Sequence, residues 1–544
     1  MNSLILVLSV IIIFIIAYAT YGSYLCKTWG LDPKKQTPAH TMEDGVDYCP
    51  AKAPVLLGHH FASIAGAGPI VGPIQAAVFG WLPVMLWIVI GSIFVGGVHD
   101  MGALFASVRH DGKSLGEVIH STMGDTGRKL FSWFAWLTLI LVIAAFTAIC
   151  AGLFVSTPAA GSTSILFIIL AIAFGFFVYR KGAGLGVSTV VGVVLLFACI
   201  WLGMRFQFTA GFTKSTWVII LVAYITVASV APVWILLQPR DYLNSFLLYA
   251  MIIGAVLGLV ILHPTIEAKS FVAFNTGNMN YLFPMLFVTV ACGAISGFHA
   301  LVGSGTTSKQ IDNEKDVKLI GYGSMLIEGV LATIAIITAT YIATPELGEL
   351  LSDGGPMNVF ATGIGNFMQS FGIPFETGKV FTSLAISAFA LTSLDTATRL
   401  GRFIFQELFD NRQSADEKAN VLTNKYVSTV ITAGLGGLLA VMGYAKVWPI
   451  FGSANQLLAA LALLTLAAYL KKSGKSNKVA VIPTIFMFVV TFAALVLLII
   501  QKSADFATNW ILVIIAAILL VLAVVLARFG YKTLTETTEE KIKG

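Results

Sequence analysis

The sequence predicts an all-α polytopic membrane protein with about fifteen transmembrane helices, each supplying the roughly 20 apolar residues that a bilayer crossing needs. Three observations predict it. Hydrophobic residues make up 57% of the 544 positions and charged residues only 11%, with a mean hydropathy of +0.88. A soluble domain carries about 25% charge to wet its surface, so most of this exterior faces lipid. The apolar residues form long continuous runs, unlike the roughly ten-residue alternation of barrel strands. Lys and Arg are also partitioned unevenly among the connecting loops. Together these exclude a disordered chain, a coiled coil, a nucleic-acid binder and a secreted disulfide scaffold.

In chain order the runs are 4–23, 55–80, 82–108, 130–155, 164–180, 184–204, 217–238, 242–263, 281–305, 317–343, 379–408, 425–445, 448–470, 479–501 and 509–529. With the N-terminus outside, the loops beginning at 24, 109, 181, 239, 306, 409, 471 and 530 face the cytoplasm. Of 33 Lys and Arg, only Arg205, Lys214, Lys269, Lys379, Lys446 and Lys502 then lie nearer the other side. That bias satisfies the positive-inside rule and explains the net charge of +6 without nucleic acid. The C-terminus is cytoplasmic. The first run has no basic segment before it, so it reads as a retained helix and not a cleaved signal. Cys150, Cys199 and Cys292 lie in apolar runs, and Cys26 and Cys49 in one cytoplasmic loop, which predicts no disulfide framework.

The expected organisation is a peripheral helix over 1–24 and a core over 55–263 and 264–410. An outer loop at 344–378 carries a short interfacial helix over 358–371. Four peripheral helices follow over 425–529, and a polar tail over 530–544.

Two runs are poor helices. The second contains Ala62-Ser63-Ile64-Ala65-Gly66-Ala67-Gly68-Pro69-Ile70-Val71-Gly72-Pro73. Each interior Pro removes a backbone hydrogen bond, and Gly lets the chain leave helical geometry cheaply. Backbone groups freed at that depth must line a protein-walled cavity. The seventh run is milder, with Ala228-Ser229-Val230-Ala231-Pro232. An offset of five spans reverses topology, and paired breaks in inverted halves point to a transporter site. The competing reading is small-residue helix packing. Amides around Gly66, Ala67 and Gly68, at the start of a half-helix with Pro69 in its first turn, suit a carboxylate. Carbonyls ending near Ala62 and Ala65 suit a cation. The candidate substrate site is therefore His59, His60, Ser63, Gly66, Ala67, Gly68, Ser229 and Pro232.

Ionisable residues inside a membrane are costly and point to function. His59 and His60 precede the break by one turn. His99 and Asp100 read equally as a structural pair or a relay. His299 is mid-span, and Glu328 is a buried carboxyl with no partner in its own helix. Asp395 stands four residues before Arg399, a spacing that also makes an internal salt bridge. Asn455 and Gln456 suit interhelical hydrogen bonding.

The stretch Gly58-His59-His60-Phe61-Ala62-Ser63-Ile64-Ala65-Gly66-Ala67-Gly68-Pro69 resembles the signature of the carbon starvation protein A family. So do Ser296-Gly297-Phe298-His299, Leu394-Asp395-Thr396-Ala397-Thr398-Arg399-Leu400 and Phe451-Gly452-Ser453-Ala454-Asn455-Gln456. The resemblance implies a bacterial inner-membrane uptake system for pyruvate, peptides or another small carboxylate, with a proton as coupling ion. It also implies the LeuT-like fold of the amino acid–polyamine–organocation superfamily, a 5+5 inverted repeat with discontinuous helices over spans two to eleven. A sodium-coupled relative would place Ser296 and Ser304 against the carbonyls of Ala62 and Ala65. His299 beside them favours protons, carried by His299, Glu328 and Asp395. The expected partners are the lipid bilayer and a small-molecule substrate, with no cofactor and no resident metal.

An enzyme reading finds no zincin spacing, nucleophile elbow or phosphate loop. A channel is the stronger rival, because irregular backbone also builds filters. Paired breaks within one chain favour a carrier.

Overall fold

A computed structural model describes residues 2–45, 47–232, 235–277, 279–409 and 421–535. Among these the fold is all-helical, with only three isolated β-bridges. The chain runs through α1 (Ser3–Trp29), α2 (Ala53–Ile64), α3 (Gly68–Ala76), α4 (Trp81–Val108), α5 (Leu115–Ser156) and α6 (Pro158–Gly175). It continues through α7 (Leu185–Arg205), α8 (Lys214–Val230), α9 (Leu237–Leu262), α10 (Leu282–Thr289), α11 (Gly297–Gly305) and α12 (Lys318–Thr340). The last third holds α13 (Thr344–Gln369), α14 (Phe375–Phe409), α15 (Lys425–Ala440), α16 (Tyr444–Lys472), α17 (Lys478–Ser503) and α18 (Phe506–Thr535). Among the described residues, eleven helices are long and apolar enough to cross a membrane, or twelve with α2 and α3 as one bent span. The remaining expected spans are the short α8 and α15 and the interrupted run of α10 and α11.

The second span is broken where the Gly-Pro tract requires it. Helix α2 ends at Ile64, Ala65 leaves helical geometry, and α3 restarts at Gly68 after a bend of 46°. The second break falls elsewhere than expected. Span nine, read as continuous from its apolar composition, stops at Thr289, forms one short turn over Ala291–Ala294, and is extended at Ile295 and Ser296 before α11 begins. The seventh run is not a broken helix at all. Helix α8 ends at Val230, and the Pro232 region is the connection to α9, so the tract that mimicked a break is a boundary between two helices.

The two real breaks cross each other. A Cβ on Gly68 would lie 2.4 Å from Cys292 Sγ, and one on Gly72 would lie 2.4 Å from the Thr289 carbonyl oxygen. Helices α4, α12 and α16 pack around this crossing, while α5 and α14 pair along their lengths on the other side.

Three further expectations change. The stretch 344–378 is mostly helix: α13 kinks at Gly355, and its second half buries Val359, Phe360, Ile364 and Phe367 where an interfacial helix was expected. Those apolar residues pack against α9, α12 and α14. Within 425–529, α16 is not peripheral, because its apolar stretch is wholly buried and its Asn455 reaches the break. Helices α15, α17 and α18 each keep an exposed apolar face, Val430 and Leu438 supplying that of α15. The tail begins later than 530, since α18 runs to Thr535; 536–544 lie outside the described residues.

Candidate functional site

Two clusters of ionisable side chains lie buried among the helices that carry the breaks. The first joins α4, α11 and α12. Asp100 receives one imidazole on each carboxylate oxygen: His99 Nδ1 at 2.6 Å and His299 Nδ1 at 2.9 Å. The far nitrogen of His299, Nε2, faces Glu328 Oε2 at 3.3 Å, an ion-pair contact and not a formed hydrogen bond. All four side chains are at most 1% exposed. The fold builds this by convergence. His299 lies in the first turn of the half-helix after the second break, Asp100 comes from the C-terminal half of α4, and Glu328 comes from mid-α12. None is near another in sequence except His99 and Asp100.

A proton between His299 Nε2 and Glu328 has two homes. If Nδ1–H donates to Asp100, Nε2 is free to accept from a neutral Glu328 carboxyl or to hold the proton opposite a carboxylate. The arrangement is a chain of carboxylate, imidazole and carboxyl beside the break. The Ile64 carbonyl, at the end of α2, faces the same imidazole.

The second cluster joins α2, α8, α9 and α14. His59 Nδ1 lies 3.1 Å from Asp241 Oδ2, and Asp241 Oδ1 accepts from Arg240 Nη2 at 2.9 Å. Arg240 Nη1 also donates to Asp395 Oδ2, which accepts from the Tyr224 hydroxyl at 2.7 Å. Asp395 therefore does not pair with Arg399, four residues on. Arg399 instead donates to the Ala228 and Ala231 carbonyls at 2.9 and 2.5 Å, capping the end of α8. The helical spacing gave way because a neighbouring helix end offered the guanidinium carbonyls that need donors.

The other expected residues divide. His60 Nδ1 binds Thr307 Oγ1 at 2.8 Å, so the two adjacent imidazoles bolt α2 to different neighbours. Ser63 turns its hydroxyl to the His59 carbonyl, and Ser393 of α14 donates to the Ser63 carbonyl at 2.9 Å. Ala62 and Ala65 are fully buried. Ser296 and Ser304 do not meet them: Ser296 binds Asn455, and Ser304 Oγ accepts from the Leu115 amide. The hydroxyl that meets the first break belongs to Ser393. Ser229 is buried with an unpartnered hydroxyl, while Pro232 is exposed.

The two half-helix N-termini differ in one respect. Asn455 Oδ1 accepts from the Phe298 amide at 2.8 Å, which caps α11 with protein. Helix α3 has no side-chain cap. Its first amides, at Ala67 and Gly68, lie outside the helical ladder and carry the positive end of the dipole.

Arg240, Asp241, Tyr224 and Ser393 were not singled out from sequence. Arg240 and Asp241 fell between two predicted spans and counted as loop charges, yet they are 1% and 0% exposed. The available signal was Pro239, which starts a helix as readily as it ends one.

Residues 2–350 and 343–494 match the profile described as carbon starvation protein CstA. The Escherichia coli (strain K12) pyruvate/proton symporter BtsT is 32% identical, over 91% of this chain and 81% of that protein. The peptide transporter CstA of the same organism is 33% identical, over 91% and 80%. The peptide transporter CstA of Bacillus subtilis (strain 168) is 33% identical, over 90% and 89%. Among solved structures, an Eremococcus coleocola manganese transporter superposes with a TM-score of 0.52 at 12% identity, covering 90% of this chain and 99% of that one. That similarity is one of fold.

Proposed function

The chain belongs to the carbon starvation protein CstA family, and on that premise we propose that it imports a small carboxylate-bearing carbon source with a proton, by alternating access. It is a multi-pass membrane transporter by kinship, not an enzyme. The observation that carries the proton reading is the Asp100–His299–Glu328 chain beside the first break. Imidazole between two carboxyl groups exchanges a proton near neutral pH, which a sodium site of oxygen ligands does not do. Relatives named as a pyruvate/proton symporter and as peptide transporters are about equally similar, which supports a carboxylate common to both cargoes.

In this reading the cargo carboxylate sits on the Ala67 and Gly68 amides, and its arrival reorganises the crossing of the two breaks. The core is two inverted repeats: α2–α3, α4, α5, α8 and α9, then α10–α11, α12, α14, α15 and α16. Helices α6 and α7 form a hairpin inserted in the first repeat. The pairing of breaks at the start of each repeat, and of the short α8 and α15 that pack together, supports this division over spans two to six and seven to eleven. With α6 and α7 inserted, six spans lie between the two breaks, an odd offset of seven that makes them antiparallel. The protein resides in the bacterial inner membrane, N-terminus outside and C-terminus cytoplasmic, as the Lys and Arg distribution indicates.

Proteoliposomes loaded against labelled pyruvate and dipeptides test the proposal. Accumulation under an imposed pH gradient without sodium is expected. Accumulation only under a sodium gradient would overturn proton coupling, and flux that never saturates would favour a channel.

A further inference from the structure

Helices α1 and α12 leave a groove between them of about 300 Å³. Ile11, Ile15 and Tyr18 wall it on α1, and Leu319, Ile327 and Val330 on α12. From Leu319 to Val330 is roughly 16 Å of helix, close to half of the ~30 Å hydrocarbon core of a bilayer. The groove is therefore as long as one leaflet is deep. One end of it is not apolar. Both helices are wound as π-helix there, over Tyr18–Gly22 and Lys318–Gly323, and the two turns touch. Lys318 leaves its turn with Nζ over the Tyr18 ring, 4.1 Å from the centroid, and donates to Ser23 Oγ at 2.9 Å. Gly22 makes room for the stem, since an added Cβ would lie 3.1 Å from Lys318 Cε. An ammonium has three donors. Among the described residues no carboxylate forms an ion pair with this one; its contacts are the hydroxyl and the ring. The loop acid Asp316 lies in the field of Lys315. Lys27 is exposed and follows Ser23 by four residues, which puts a second ammonium on the same face of α1. A larger groove of about 560 Å³, between α7, α9, α13 and α14, has no cation among its walls. That one suits any acyl chain, whereas the groove at Lys318 can choose a headgroup.

We propose that the groove between α1 and α12 binds one anionic phospholipid, its phosphate on Lys318 and Lys27 and an acyl chain laid along α12. Phosphate oxygens accept the donors that Ser23 leaves, in charge-assisted bonds stronger than neutral ones. The Tyr18 ring under Lys318 holds the ammonium at headgroup level, where aromatic and basic side chains gather in membrane proteins. The Lys and Arg distribution puts this end of both helices on the cytoplasmic side, where anionic lipids draw basic residues. A zwitterionic headgroup brings its own cation against Lys318 and Lys27, so the site selects a net negative one. The lipid joins α1, whose outer face is exposed along much of its length, to the helix that carries Glu328. The site stands apart from the Asp100–His299–Glu328 chain and does not depend on which cargo is carried.

Native mass spectrometry of the purified protein tests this, with dioleoyl phosphatidylglycerol or dioleoyl phosphatidylcholine titrated into the detergent solution. Wild type is expected to retain one phosphatidylglycerol at about a tenth of the phosphatidylcholine concentration needed, the selectivity that one charge-assisted bond supplies. Lys318→Met keeps the stem and should retain the two lipids alike. Lys181→Met, on the connection between α6 and α7, should keep the preference. Ile327→Trp fills the groove and should weaken both lipids about tenfold. Glycerol phosphate, which has the headgroup chemistry without the tails, should not displace the lipid. Equal retention of both lipids by wild type overturns the site. So does a preference that survives Lys318→Met or vanishes in Lys181→Met. Displacement by glycerol phosphate would give the cations to a soluble anion, and a second copy of the chain in place of lipid would give the groove to self-association; either overturns the assignment. Should Lys318→Met fail to fold, the wild-type preference, Ile327→Trp and the competition decide.

Discussion

Glu328 owes its position to a helix face that carries no compensating side chain of its own, and its partner arrives from another helix. Glu328→Gln removes the exchangeable proton while keeping size and a hydrogen-bonding group. Concentrative uptake should fall by an order of magnitude or more, whereas exchange of labelled for unlabelled cargo should persist, because exchange does not require the proton to leave. His299→Gln and Asp100→Asn should share that phenotype, since each interrupts the same chain. Loss of exchange as well as uptake in Glu328→Gln would make the residue a structural or cargo contact. A neighbouring residue teaches a different lesson. Gly68 must be small for a packing reason, since an added Cβ would lie 2.4 Å from Cys292 Sγ. Gly68→Ala should therefore lower thermal stability in detergent by about 1–3 kcal/mol of overpacking. Cys292→Gly should restore much of it, since both the sulfur and Cβ of Cys292 crowd the added methyl. A melting temperature unchanged by Gly68→Ala would show that the crossing is looser than described.

At the scale of elements, the first break was legible because its cause is covalent: Pro cannot donate, and Gly tolerates the bend. The second was not, because span nine breaks at Ile295 and Ser296 for a tertiary reason. Asn455, from a helix more than a hundred residues away, takes the Phe298 amide and the Ser296 hydroxyl, holding the extended segment open. No local window of sequence contains that bond. In contrast, Ala231-Pro232 has the covalent signature of a break and sits at an ordinary helix end. Asn455→Ala should leave the Phe298 amide unpaired, a cost of about 1–3 kcal/mol, and open a second positive half-helix end to the cavity. The expected result is a less stable carrier with altered apparent affinity for cargo, read by thermal melting and by competition uptake. An unchanged affinity together with unchanged stability would mean that another group takes over the cap.

At the scale of the molecule, the span pattern and the charge asymmetry were readable because hydropathy is additive along the chain. Burial of Arg240 and Asp241 was not, since two charges at the edge of a span look like a loop until α2 and α14 are placed beside them. The same limit bears on testing topology. Lys475 faces the inner side on the charge rule, but its ammonium donates to the Trp29 carbonyl and lies over the Phe105 ring, so a cysteine there would be shielded whatever side it is on. Lys315 and Asp353 are exposed and avoid that ambiguity. Lys315 lies in the connection between α11 and α12, and Asp353 in the first half of α13. The inward and outward assignments place them on opposite sides of the membrane. In intact cells, an impermeant thiol reagent should label Asp353→Cys and spare Lys315→Cys, with Lys315→Cys becoming reactive once the cells are opened. The five native cysteines must first be replaced, and Cys292 with care because it fills the crossing at Gly68. Labelling of Lys315→Cys from outside would invert the whole assignment.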